Sequence, residues 1–188
     1  MEQENVILNP IINPPPKRSA FSTALKYAII TGLASFIFSL ITYSTGLYLN
    51  QAVNWLVYII LLAGLIFTVK DRRDKDLGGY MTFGEGFGAG FLFCVLFGVL
   101  SIIFSLIMMN FIAPDMISEI MKQTEQKMID KGMSDDQIQL AMSYTKKFMT
   151  PAWMALWIMV GIGIFGCILS LIVAAVFKKD NPQLQPPL

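Results

Sequence analysis

The chain of 188 residues is 55% hydrophobic and only 14% charged, with a formal net charge of +1 and no histidine. Soluble domains carry about 25% charged residues, so a soluble globular domain, a disulfide scaffold and a disordered chain are all disfavoured. The near-neutral balance provides no global field for nucleic acid, and the lack of histidine removes the commonest general base and metal ligand.

Residues 1–21 open the chain with a polar, proline-rich stretch, Pro14-Pro15-Pro16 followed by Lys17-Arg18. Proline favours extended backbone and supplies no donor, so a disordered cytoplasmic tail is expected. Four apolar runs follow, each near the roughly 20 residues that cross a bilayer core. They predict spans over 27–49, 53–69, 83–113 and 152–177. None shows the polar face of a helix in a soluble bundle. The first is too long for the apolar region of a cleaved signal peptide. Ser35, Ser39, Thr42, Tyr43, Ser44 and Thr45 in the first run, with Asn54 and Tyr58 in the second, satisfy one another between helices or line a polar vestibule.

Between the second and third runs, Lys70 to Asp76 alternates four bases with three acids, and Gly78-Gly79 ends the stretch. It reads as a solvated turn. Thr82-x-x-Glu85 then matches a capping box, in which a hydroxyl takes a first-turn amide and the carboxylate returns to the cap. Glu85 is the one acid in an otherwise uncharged stretch running into the membrane. It is therefore the candidate functional residue, as a cap or as an intramembrane carboxylate. Gly86, Gly90, Cys94 and Gly98 recur at every fourth position, and Gly163, Gly166, Cys167, Ser170 and Ala174 offer a similar face on the fourth run. Small residues at that interval let membrane helices approach closely, so spans three and four are expected to touch there. The two cysteines are read as small apolar residues, with neither a disulfide nor a metal site expected.

Residues 114–150 form the one sizeable polar insert. Ile117, Ile120, Met121 and Met128 recur at helical spacing, Gly132 marks a helix end, and Ser134-Asp135-Asp136-Gln137 opens a second amphipathic helix. Its inner stripe is Ile138, Ala141, Met142, Thr145, Phe148 and Met149. Thr150-Pro151 then opens the fourth run. Gly161-Ile162-Gly163-Ile164-Phe165-Gly166 spells a dinucleotide fingerprint, but it sits inside a continuous apolar run without the strand that motif needs.

Nine basic residues, including all three arginines, fall on the N-terminal segment, the second connection and the C-terminal tail. Five lysines fall on the hairpin. The bias predicts that both termini, including a tail over 180–188, are cytoplasmic and that the hairpin is extracytoplasmic. Trp55, Trp153 and Trp157 fit an outer interfacial belt.

The layout resembles a bacterial membrane-protein family known as domain of unknown function 4199. The shared features are the basic opening before span one, the charged second connection, Met81-Thr82-Phe83-Gly84-Glu85-Gly86-Phe87, Gly132-Met133-Ser134 in a hairpin of acids and lysines, and the short basic tail, over about residues 22–179. The resemblance implies a bacterial inner-membrane protein of about four helices, with no activity, substrate or catalytic residue attached. The expected fold class is an all-α membrane protein of four transmembrane helices with an extracytoplasmic amphipathic helical hairpin between helices three and four. The expected role is non-enzymatic and without cofactor, nucleic acid or metal. The protein would act as an accessory, scaffold or envelope protein whose partners are the bilayer and, through residues 116–149, a second copy or another membrane protein. The alternative is a small oligomeric transporter or channel with Glu85 near its cytoplasmic mouth.

Overall fold

The computed structural model describes residues 18–180. Those residues form six helices: α1 (Ala20–Ser44), α2 (Gln51–Asp76), α3 (Phe83–Ile112), α4 (Met116–Asp130), α5 (Asp135–Phe148) and α6 (Pro151–Phe177). The expected tails over 1–21 and 180–188 fall mostly outside the described residues; positions 20 and 21 are helical.

Helix α1 starts seven positions before the uncharged run. Ser19 sets the start, its Oγ accepting from the Ser22 amide at 3.1 Å, which satisfies one of the orphan donors of the first turn. Lys26 therefore lies within the helix. The helix ends at Ser44, not at residue 49. Gly46 takes the left-handed region at φ 72°, and Leu47–Leu49 forms a separate 3₁₀ turn. Helix α2 exceeds the apolar run 53–69 at both ends. A short turn, Gln51–Asn54, precedes its body, Leu56–Asp71. A π turn over Arg72–Asp76 then carries it through the charged stretch, with the Leu77 amide donating to the Arg72 carbonyl at 3.1 Å. The last turn of α3, Met108–Ile112, is also a π turn, closed by the Ala113 amide on the Met108 carbonyl at 2.7 Å.

Gly132 ends the α4 segment with φ 73°, and the Met133 amide returns to the Met128 carbonyl at 3.2 Å. That is the six-to-one bond of a Schellman stop. Gln137 closes the start of α5 on the Ser134 amide at 3.2 Å. Pro151 occupies the first turn of α6, but the Thr150 hydroxyl makes no capping bond there.

Helix α3 is the centre of the bundle, packing on α1, α2 and most extensively on α6, while α2 also touches α1 and α6. Ala24, Ala28, Leu61, Leu65, Phe93, Phe97 and Val173 form the core. Close approach sets the α1–α2 contact, because a methyl group on Gly64 would collide with Thr31 Oγ1. The outer faces are apolar: Ile30, Ile37, Ile41, Ile164, Ile168 and Val176 are all exposed. A soluble monomer rarely shows apolar surface on that scale. Four helices, α1, α2, α3 and α6, are long and apolar enough to cross a membrane.

Candidate functional site

The charged stretch after the body of α2 does not hang free as a turn. Continued helix turns two of its acids inward, leaving Asp71 8% and Asp76 7% exposed. A buried carboxylate is costly unless paired and hydrogen-bonded, and each has found partners. Asp71 takes Lys26 of α1 at 3.9 Å and Lys75 one turn ahead. Asp76 accepts from Thr23 Oγ1 at 2.6 Å and pairs with Arg72 at 3.4 Å. Arg72 also donates to the carbonyl of Arg18. The five-residue π turn alters the angular spacing of these groups, and such turns recur at functional sites. The result is a charged knot that ties the start of α1 to the end of α2. Arg73 points elsewhere, pairing with Asp74 at 2.7 Å and lying 5.4 Å from the Phe177 ring.

A second tie sits beside it. The Met81 and Lys179 amides each donate to the other's carbonyl at 2.9 Å, an isolated antiparallel bridge between the start of α3 and the end of α6. Residue 18, the α2–α3 connection and residue 179 are thus held at one end of the bundle.

Glu85 lies at that end, exposed, in the first turn of α3. Its Oε2 accepts from the Thr82 amide at 2.9 Å and from Thr82 Oγ1 at 2.8 Å, and the Glu85 amide donates back to Thr82 Oγ1 at 3.3 Å. This is a complete capping box, with the negative charge at the favourable end of the helix dipole.

The small residues of α3 meet α6 in a regular antiparallel register. A methyl on Gly86 would fall 3.2 Å from the Ala174 Cβ, one on Gly90 3.2 Å from the Ser170 Cβ, and one on Gly166 2.7 Å from the Cys94 Cβ. A methyl on Gly98 would meet the Met159 sulfur at 3.1 Å. Cys94 Sγ lies 3.9 Å from Ser170 Oγ. Gly163 is outside this row, and nothing lies within 4 Å of a methyl placed there. Three residues before Gly166 is a rotation of about 60° off the contact line, which removes Gly163 from the expected packing set. Cys167 is partly buried.

The hairpin shows an exposed row of which the sequence reading includes only Phe148. Ile138 is buried, and Ala141, Met142 and Thr145 are partly covered. Leu140, Tyr144 and Phe148 are 60%, 54% and 44% exposed. Their four-residue spacing places them in one row. The signal is present in that spacing, but Leu140 and Tyr144 lie outside the stripe read from the sequence, and Phe148, within it, is exposed. The Phe148 ring lies 5.3 Å from that of Trp153 in the first turn of α6. Tyr48, in the loop after α1, donates to Glu119 of α4.

The fingerprint-like glycines at 161–166 lie within α6, with no strand before them among the described residues. No cluster of three or more potential metal ligands occurs among the described residues.

With four such helices and no strand among the described residues, this is a multi-pass membrane protein. Residues 26–179 match the family described as protein of unknown function (DUF4199), and the chain belongs to that family. No curated protein and no solved structure gives a significant match.

Proposed function

We propose that this protein is a non-enzymatic accessory or scaffold subunit of a bacterial inner membrane, with both termini in the cytoplasm and the α4–α5 hairpin outside. It acts by association, through a protein partner that covers the hairpin. The observation that carries this reading is the exposed row Leu140–Tyr144–Phe148. Exposed aromatic and leucine side chains in a row are what a helix presents to a groove on a partner. The end of the bundle that holds Arg18, Lys26, Arg72, Arg73 and Lys75 supports the orientation, since positive charge collects on the cytoplasmic side. Glu85 serves as the cap of α3, holding its first turn.

A photoreactive amino acid at Leu140 or Tyr144, activated in growing cells, tests the reading. Both positions are expected to give the same discrete protein adduct, and Lys127 is expected to give none. Leu140→Asp should abolish the adduct from position 144. Adducts to lipid alone would overturn the proposal in favour of a hairpin lying on the bilayer surface.

A further inference from the structure

Several hydroxyls in and just beyond the spans are turned back on their own helix. Thr42 donates to the Ser39 carbonyl at 3.0 Å, Thr45 to Ile41 at 2.7 Å and Thr68 to Gly64 at 2.8 Å. Ser35 is different. Its Oγ is buried and has no hydrogen-bond partner. It lies where two cavities meet, sharing Ser35, Val57 and Ser101 in their walls. The larger, of about 430 Å³, lies between α1, α2, α3 and α6 and is faced by the rings of Tyr58, Phe97, Trp157 and Phe165. The smaller, of about 240 Å³, runs toward Phe36, Phe104 and the start of α4. No charged residue lines either one. An uncompensated buried hydroxyl is costly, and in a lipid-surrounded site there is no bulk water to satisfy it.

The lining and the depth define the occupant. Tyr58 of α2 and Phe165 of α6, with ring centroids 6.1 Å apart, and Trp157, 58% exposed, form the outer wall of the larger cavity. That wall is aromatic on the side that faces lipid. Ser35 lies nine residues, or about 13 Å, before the end of α1, deeper than the interface where phospholipid ester carbonyls sit. A charged headgroup finds no counter-ion in this cavity. What fits is a neutral, membrane-soluble molecule with a flat ring to lie among aromatics and a carbonyl to accept from Ser35.

From the orphaned hydroxyl, the aromatic walls and the uncharged lining we infer that this cavity binds a lipid-soluble quinone, with Ser35 donating to one quinone carbonyl and the tail running out toward lipid. No hairpin residue lines the larger cavity, so the inference does not rest on the partner proposed for the hairpin.

The test uses the full chain in phosphatidylcholine nanodiscs, with Trp55→Phe and Trp153→Phe leaving Trp157 as the one tryptophan emitter. Decylubiquinone is the probe and quencher. Saturable quenching is expected, with half-saturation raised about tenfold by Ser35→Ala, the effect of one lost hydrogen bond. Gly161 lines the larger cavity, and a methyl placed on it meets nothing within 4 Å. Gly161→Leu should therefore fill the cavity and abolish saturable quenching with the thermal melt unchanged. Decylbenzene, which keeps the ring and tail but lacks carbonyls, should compete about tenfold more weakly than decylubiquinone. Linear quenching that is equal in all variants would overturn the inference. So would equal competition by decylbenzene with no effect of Ser35→Ala, which would make the cavity an acyl-chain groove.

Discussion

Gly166 lies so close to Cys94 that a methyl group added to the glycine would sit 2.7 Å from the cysteine Cβ. The obstructing atom is attached to the backbone, so the two helices must separate to admit it. The same register continues at Gly90 with Ser170 and at Gly86 with Ala174. In a membrane such packing replaces the hydrophobic drive that water would supply. Gly166→Ala should lower stability by about 1–3 kcal/mol, the usual cost of overpacking. Gly163→Ala, three residues away and facing open space, should be neutral or slightly stabilising. Reversible unfolding in mixed micelles, with both variants compared in one detergent, measures the difference.

The charged knot gives a sharper contrast. The Asp76 side chain is 3% exposed and joined to Thr23 and Arg72. Asp76→Ala leaves Arg72, itself 15% exposed, short of its carboxylate, and should cost about 3 kcal/mol. Asp74 pairs with Arg73 but is 39% exposed, so Asp74→Ala should cost less than about 0.5 kcal/mol. Melting temperatures of the two variants, measured in parallel, should separate clearly. Equal shifts would show that the knot contributes nothing special.

Part of this arrangement was legible in the sequence and part was not. The Thr82–Glu85 and Ser134–Gln137 pairs are local, three residues apart, and a cap depends on little beyond its own turn. The Gly132 stop is local for the same reason. The inward turn of Asp71 and Asp76 was not legible, because it depends on a π turn and on Thr23 and Lys26 arriving from a helix about fifty residues away. Lys26 interrupts the apolar run without ending the helix, because Ser19 caps it seven residues earlier. Gly163 failed on phase: composition shows a small residue, but only the helix rotation shows where it points. The cavity at Ser35 was invisible for a related reason, since a void belongs to four helices and to no motif.

The capping role of Glu85 makes its own forecast. Glutamine is also accepted at that position of a capping box, so Glu85→Gln should lose only the charge–dipole part, about 0.3–1 kcal/mol. Thr82→Ala should cost about 0.5–2 kcal/mol. Because the two residues act as one unit, the double variant should lose less than the two single effects added together. A double-mutant cycle on the melting of purified protein supplies the test. Strict additivity would show that Glu85 acts elsewhere.

The proposed orientation can be read by labelling in a background of Cys94→Ala and Cys167→Ala. A cysteine at Gln123, on the hairpin, should react with an impermeant maleimide in intact spheroplasts. A cysteine at Asp74 should react only after lysis. The reverse pattern would invert the protein in the membrane.

The paired amides of Met81 and Lys179 carry a consequence for biogenesis. Every group of the charged knot, from Arg18 to Asp76, lies in the first half of the chain and is available before α3 leaves the ribosome. The latch on α3 needs a residue beyond the last turn of α6. The leading helical pair can therefore be fastened early, while the central helix stays unlatched until residue 179 has been made. A nascent chain stalled before residue 179 would expose this order as a protease-sensitive stretch around residues 77–82.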